Sequence, residues 1–167
     1  MSRSPSFLIA LLIVLGFTQQ ALAAPNVPKT SAVYLELDGI PGEVDEGDFK
    51  GQIELQSFSL SGQGGEKAGD AAKLNDFFVL KPIDAASPKL LAALGGGQKI
   101  AKATVTVRGG KDSKTYLKYA FTDLTVSRIN QVIAAGGQEE LNFRYATVKV
   151  TYTSADGKTT VEGDGKR

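Results

Sequence analysis

Alternation of apolar and polar residues with a period of two runs through most of the chain and favours a mainly β fold. In the clearest segment, 101–108 (AKATVTVR), Ala103, Val105 and Val107 lie on one face of a strand and the charged and hydroxyl side chains lie on the other. Each such strand has one buried face. The other segments with this period are 33–37, 53–60, 116–132 and 141–152.

The alternation slips by one residue at two places, near Gln56 and Ser57 and again near Ala146. A β-bulge produces such a slip, and the bends that bulges introduce allow a sheet to close on itself. Six or so strands with these slips predict a small antiparallel β-barrel, closed or nearly closed, with one short flanking α-helix. An immunoglobulin-like sandwich is the main alternative.

The flanking helix is predicted within 83–97 (IDAASPKLLAALGGG), which carries both start and stop signals. Ser87 is a candidate N-cap, and Pro88 suits the first helical position, where no N–H is needed. Three leucines at helical spacing form one apolar stripe, so the helix should lie against the sheet. The glycines at 95–97 can adopt the left-handed conformation that ends a helix, with Gly95 as the predicted cap.

The N-terminus has the three regions of a secretory signal. Arg3 precedes an apolar run at 7–17, and small residues at 21–23 predict cleavage after Ala23. The run is shorter than the roughly 20 residues of a membrane span, so we expect a secreted or periplasmic protein without an integral span. The predicted organisation is a signal peptide at 1–23, a leader at 24–32, a β-barrel domain at 33–153 and a disordered tail at 154–167.

Charge and cysteine content exclude some partners. The chain has 19 basic and 18 acidic side chains, and removal of the predicted signal takes away Arg3 and equalises them. A neutral chain lacks the general attraction that drives binding to nucleic acid, so we expect no nucleic-acid partner. The chain has no cysteine, so its core and hydrogen bonds alone must hold the fold.

The chain also has no histidine. Without histidine and cysteine, the chain lacks the commonest general base, thiol nucleophiles and most zinc ligands. We expect no catalytic residue, no cofactor and no metal site, and hence no enzymatic activity. A hydrolase using two carboxylates is a remote alternative, in which Asp70 with Asp76, or Asp156 with Asp164, would supply the acids.

Four acids near the end of the first predicted strand could bind calcium or form a solvated loop. Gly47 and Phe49 stand where an EF-hand needs ligands, and a charge cluster of this kind is commonly a surface feature. A solvated loop is the favoured interpretation. The four acids are Glu43, Asp45, Glu46 and Asp48.

Four segments together resemble the Hcp family, the haemolysin-coregulated proteins that form the inner tube of type VI secretion systems. They are YLELDGIPGE, FSLSGQGGEKAGDAAKLNDFFVLKPIDAASPKLL, AKATVTVRGG and LNFRYATVKVTY. The resemblance implies a structural subunit that forms homohexameric rings, which stack into a tube and carry effectors, with a spike protein as a further partner. Hcp subunits usually lack a cleavable signal, so an exported monomeric β-barrel binding module that has lost tube function is the alternative.

The resemblance also implies a role for the glycine-rich segment after the second predicted strand, where the family carries an extended loop used in ring stacking. A flexible hairpin tip is the structural alternative. A phosphate cradle is disfavoured because Lys67 stands where a GxGxxG motif needs its third glycine. The predicted stacking loop consists of Ser61, Gly62, Gln63, Gly64, Gly65, Glu66, Lys67, Ala68, Gly69 and Asp70.

Overall fold

The computed structural model describes residues 32–109 and 114–167, apart from the side chain of residue 135. The predicted signal peptide, the leader up to residue 31 and residues 110–113 lie outside the described residues. The elements are β1 (Ala32–Leu37), β2 (Ile53–Leu55), β3 (Ser57–Ser59), β4 (Gly62–Gln63), β5 (Lys73–Leu74), β6 (Phe77–Pro82), α1 (Ser87–Gly96), β7 (Ile100–Gly109), β8 (Lys114–Val132), β9 (Gln138–Arg144), β10 (Thr147–Thr153) and β11 (Thr160–Lys166).

One nine-stranded antiparallel sheet is built around β8. Seven strands follow the order β2-β1-β7-β8-β9-β6-β3, and the other two lie off this path, with β10 paired to β8 and β11 paired to β10. The 19 residues of β8 change partner along its length, because 117–122 pair with both β7 and β10 whereas 125–132 pair with β9. Between these two parts Asp123 has a φ of 52°, a left-handed conformation that aspartate tolerates better than most residues. The predicted mainly β, antiparallel fold with one helix is confirmed.

The first phase slip is a corner between two strands. Leu55 of β2 pairs with Val33 of β1, whereas Ser57 of β3 pairs with Leu80 of β6. Between them Gln56 donates its N–H to the Leu80 carbonyl at 2.8 Å. β2 and β3, the two end strands of the sheet order, are therefore consecutive in the chain but do not pair with each other. The described residues form no closed barrel, so the prediction of a closed barrel is wrong. The prediction of a β-bulge near Gln56 and Ser57 is also wrong, because the slip there separates β2 from β3.

The second phase slip also separates two strands that the sequence pattern merged. β9 pairs with β6 and with residues 125–132 of β8, and β10 pairs with residues 117–122 of β8. Tyr145 and Ala146 make the break, and Ala146 donates its N–H to the Thr122 carbonyl at 3.0 Å. β9 and β10 therefore pair with two successive parts of the same strand, β8.

The predicted disordered tail is wrong, because β11 pairs with the whole length of β10, from Thr147 opposite Lys166 to Thr153 opposite Thr160. A tight turn connects the two strands, with the Ser154 N–H donating to the Thr159 carbonyl at 2.9 Å. The strand lacks apolar alternation because it is exposed along its length except at Gly165, where a side chain would meet Leu74 and Val148.

Helix α1 buries Leu90 and Ala93 against the core, while Leu91 is 52% exposed. The predicted three-leucine stripe is therefore narrower than expected. The remaining core is formed by the inward faces of the strands. Its buried apolar residues include Leu35, Ile53, Phe77, Val79, Ile100, Val105, Phe121, Leu124, Leu141 and Phe143.

The helix begins one residue earlier and ends two residues later than its predicted caps imply. Ser87 is its first residue, Pro88 its second, and Ala86 holds the cap position without a side-chain bond. At the other end the left-handed residue is Gly97, with φ of 59°, and Gly95 lies inside the helix. Ser87 does not cap the helix because its hydroxyl bonds Asp84 and buried side chains of the sheet.

Alanine substitutions at Gly95 and Gly97 should have opposite effects on stability. Gly97→Ala places a Cβ in the left-handed region and should cost about 1 kcal/mol. Gly95→Ala adds a helix former in open space and should stabilise by about 0.5–1 kcal/mol. Urea unfolding of both variants measures the difference. A loss for Gly95→Ala with no loss for Gly97→Ala would restore the predicted cap.

Candidate functional site

The predicted stacking loop is solvent-exposed along its whole length, from Ser61 to Asp70. Its base is a two-stranded hairpin in which Gly62 and Gln63 of β4 pair with Leu74 and Lys73 of β5. Next to this hairpin Asn75 donates its N–H to the Ser61 carbonyl at 2.9 Å, and its amide donates to the Ser61 hydroxyl at 3.0 Å. The two ends of the loop are thus held together.

The loop tip has a turn of its own. The Lys67 N–H donates to Asp70 Oδ2 at 3.0 Å, and the Asp70 N–H donates to the Lys67 carbonyl at 3.1 Å. Gly69 supplies the left-handed φ of 96° inside this turn. Gly65 lies so close to Asp70 that a Cβ there would be 2.1 Å from the aspartate Cβ. Glycine is therefore needed for this close approach, and the tip of the loop has a defined conformation.

The base of the loop is fastened to the last strand. A Cβ on Gly165 of β11 would lie 2.6 Å from Leu74 Cδ1 and 3.3 Å from Val148 Cγ1. Leu74 therefore fills the space that a side chain at 165 would take. The base of the loop therefore packs on β11, the strand that the sequence pattern missed.

A shallow cleft opens beside the loop base, and we call it the loop-side cleft. It brings together residues from β5, β8, β9 and the end of the chain. They are Lys73, Leu74, Asp123, Thr125, Arg144, Tyr145, Ala146 and Arg167. One wall is braced by an ion pair, because Arg167 Nη2 lies 2.6 Å from Asp76 Oδ1. Asp76 Oδ2 in turn accepts from the Ser127 hydroxyl at 2.6 Å.

The floor of the cleft contains a buried hydroxyl. Tyr145 is 3% exposed, and its hydroxyl has no hydrogen-bond partner among the described residues. Burial raises the pKa of this phenol, Arg167 opposes that shift, and Asp76 adds to it. The hydroxyl therefore remains a protonated donor.

A buried charged network lies at the other end of β6, and we call it the polar lock. Its members are Lys81, Asp84, Ser87, Gln131 and Glu139. Lys81 Nζ donates to Glu139 Oε1 at 2.6 Å and to Asp84 Oδ1 at 2.7 Å. Ser87 donates to Glu139 Oε1 at 2.7 Å, and Gln131 donates to Glu139 Oε2 at 2.9 Å. The network joins the start of α1 to three neighbouring strands.

The Lys81 and Glu139 side chains are fully buried. Burial acts to raise the pKa of Glu139, but hydrogen bonds from Gln131, Lys81 and Ser87 and the Lys81 charge outweigh it, so the net shift is downward. Both charges are therefore compensated, as buried charges must be.

The acidic segment lies away from the loop-side cleft. Glu43 Oε1 accepts from the Ala85 N–H at 3.0 Å at the start of α1, and Asp45 pairs with Lys50 at 2.8 Å. Phe49 stacks on Tyr34 of β1 with ring centroids 4.4 Å apart. The four acids are exposed and form a solvated loop folded over the outer face of the sheet.

Comparison with known proteins decides the family. The sequence profile described as "Type VI secretion system effector, Hcp" matches residues 34–152. The chain belongs to the Hcp family. No match was found among curated proteins.

Solved Hcp structures share this fold. Hcp1 from Salmonella typhimurium is 26% identical with a TM-score of 0.73, over 81% of this chain and 94% of that one. Hcp2 from the same organism is 26% identical with a TM-score of 0.68, over 81% and 95%. A type VI secretion effector from Yersinia pestis, 23% identical with a TM-score of 0.71 over 81% and 99%, shows the fold alone.

These findings bear on the predicted role. The family match and the Hcp1 and Hcp2 structures support a type VI secretion tube subunit, and the exported monomeric module is not favoured. Within the part of the chain that the structure describes, no helix has the length and apolar character to cross a membrane.

Two parts of this Hcp protein were missed by the sequence analysis. The polar lock had a signal, because Lys81 and Glu139 fall on the inward phase of strands whose other inward residues are apolar. Opposite charges at such positions indicate a buried pair. The loop-side cleft had no comparable signal, because its residues meet only through strand register and the placement of β11.

Proposed function

We propose that this Hcp protein is a non-enzymatic tube subunit whose copies form hexameric rings that stack into a type VI secretion tube. The family match over residues 34–152 carries the proposal. The shared fold of the Hcp1 and Hcp2 structures supports it. Secreted effectors or a spike protein are the proposed partners, and the predicted signal peptide at 1–23 is the basis for proposing a secreted or periplasmic protein.

The stacking loop, Ser61–Asp70, is the proposed contact between rings. It is exposed, its ends are closed by Asn75, and its tip is fixed by the turn at Lys67 and Asp70. A loop that is already ordered loses little conformational entropy when it docks. This combination of exposure and order supports an interface better than it supports a flexible hairpin tip.

Shortening the loop should separate ring formation from stacking. Gln63 and Lys73 face each other in the β4–β5 hairpin, so residues 64–72 can be replaced by Asn-Gly, the preferred two-residue hairpin turn. We expect native mass spectrometry to show hexamers for the wild type and the variant, and electron microscopy to show stacks only for the wild type.

Thermal unfolding of the shortened variant is the control, and its midpoint should stay near that of the wild type. A wild-type protein that is monomeric at every concentration would contradict the proposed function and support the binding-module alternative. A shortened variant that still stacks would contradict the role of the loop alone.

A further inference from the structure

Three large aliphatic side chains are exposed at the end of the sheet away from the stacking loop. Ile133 is 73% exposed, Val132 51% and Ile83 37%. The β8–β9 hairpin brings them to one place, because Ile83 donates its N–H to the Gly137 carbonyl at 3.2 Å. We call Ile83, Val132 and Ile133 the aliphatic tip. An exposed cluster of this kind marks a contact surface.

The aliphatic tip and the loop-side cleft lie at opposite ends of the same strands. At the tip, Gln138 of β9 pairs with Val132 and with Pro82. At the cleft, Arg144 at the other end of β9 pairs with Thr125. Six residues of strand separate the two rows, a distance of roughly 20 Å. One copy therefore cannot place its own tip in its own cleft.

The two ends are complementary in apolar surface. The accessible apolar lining of the cleft comes from Leu74 and Ala146, because Tyr145 beside them is only 3% exposed. These side chains offer apolar surface of the kind that the tip exposes.

The two ends are also complementary in charge. Lys73, Arg144 and Arg167 line the cleft, together with Asp123, and Arg167 is paired with Asp76. The hollow beside Ile83 is lined by Glu43, Glu54 and Asp84, of which Asp84 is paired with Lys81. The cleft therefore carries a cationic excess, and the surroundings of the tip carry exposed carboxylates. Opposite potentials of this kind fix orientation and exclude the reversed contact.

We propose that the aliphatic tip of one copy docks in the loop-side cleft of a copy in the next ring, an inference that rests on the proposed stacking of rings. A contact between two different surfaces of the same chain is heterologous and repeats head to tail. The stacking loop stands at the cleft end, so both features of that end face the tip end of the next ring.

Ile133→Asp tests the tip, with Leu91→Asp as the matched control, because Leu91 is 52% exposed on α1 and lies outside the tip. Stacking of rings is followed by sedimentation velocity and electron microscopy. Ile133→Asp should keep hexameric rings and need at least about tenfold more protein to stack. Leu91→Asp should stack like the wild type.

Ala146→Trp tests the cleft, because Ala146 is exposed on its floor and a large side chain there would fill it. This variant alone should also fail to stack. An equal mixture with Ile133→Asp retains one intact tip and one intact cleft, so it should give pairs of rings and no longer stacks. Circular dichroism confirms that each variant is folded.

The outcomes separate this inference from the proposed function. The tip-to-cleft contact alone would be overturned if the wild type forms rings and both variants still stack. It would also be overturned if the mixture of the two variants forms no ring pairs. Loss of the rings themselves in folded Ile133→Asp would also overturn it, because the tip would then act within a ring. A wild-type protein that forms no rings would overturn the proposed function and this inference together.

Discussion

Replacing Lys81 with methionine should lower the free energy of unfolding by about 3–5 kcal/mol, the largest loss that we expect from a single charged residue. The substitution keeps the length of the side chain and leaves Glu139 as a buried carboxylate without its cation. Two neutral donors, Ser87 and Gln131, remain, but they do not compensate a full charge in a dry interior.

The double variant Lys81→Met, Glu139→Leu should lose less than the sum of the two single losses. Removing both charges leaves no fully buried unpaired ion, and apolar replacement of a buried pair is often neutral. Asp84 loses Lys81 but is 12% exposed and still accepts from the Ala86 N–H. Urea unfolding of the four proteins measures the coupling. Additive losses would show that the two charges do not act as a pair.

Lys149→Met is the matched control. Lys149 Nζ lies 2.8 Å from Glu162 Oε2, but the two side chains are about half exposed, at 49% and 51%. Exposed ion pairs contribute little to stability because solvent screens them, so this variant should unfold almost like the wild type. A loss as large as that of Lys81→Met would mean that burial is not what makes the lock important.

Acid titration gives the lock a second readout. The net shift lowers the pKa of Glu139 below its ordinary value of 4.5. The carboxylate therefore contributes stability that is complete above about pH 4.5 and is lost as pH falls through the lower folded-state pKa. Glu139→Gln removes this contribution, so its stability should fall less steeply with acid than that of the wild type.

The lock also supports the surface proposed to dock. Lys81 pairs with Glu139 in β6 and β9, and the next pair in this ladder is Pro82 with Gln138, beside Ile83. The hairpin that carries the aliphatic tip thus begins one residue pair away from the buried ion pair of Lys81 and Glu139. Weakening the lock should loosen the tip before it disturbs the cleft at the other end.

Sequence periodicity located the strands that have one buried face and apolar neighbours. β1, β7 and residues 117–121 of β8 follow the predicted alternation because their inward residues pack on a continuous core, whereas after Asp123 the buried positions of β8 shift by one residue to Leu124 and Val126. The two phase slips were seen but misread. A slip marks any change of face, and only the partner strands distinguish a bulge inside one strand from a corner between two.

β11 and the helix caps depended on contacts far away in sequence. β11 has glycine where alternation would need an apolar side chain, and Leu74 fills that space from β5. Ser87 has the right residue type for an N-cap, but its oxygen instead accepts from the Asp84 N–H and from Lys81 Nζ. Local preference is overridden wherever a buried charge offers a stronger hydrogen bond.

The exposure of the proposed stacking loop was predictable from composition, and the loop-side cleft was not predictable. Glycine-rich, charged segments lie on the surface, and this one does so throughout. The cleft joins Lys73, Arg144 and Arg167, which are separated widely along the chain. Only the register of β9 on β8 and of β11 on β10 makes them neighbours.

Phe77→Ala should cost about 3–5 kcal/mol, because it removes the ring at the centre of the aromatic core. Phe77 is fully buried, and its ring lies 4.3 Å from that of Phe121, 4.9 Å from Phe143 and 6.0 Å from Tyr145. The void would touch residues of three strands. Phe77→Leu should lose less, because it fills part of the volume.

Phe78→Ala is the control within the same strand, since Phe78 points the other way and is half-buried. It should lose about 1 kcal/mol, and urea unfolding compares the three variants. Because Tyr145 forms the cleft floor, the Phe77 void should also weaken ring stacking at temperatures where the protein is still folded. A folded Phe77→Ala protein that stacks normally would show that the cleft floor does not depend on the aromatic core beneath it.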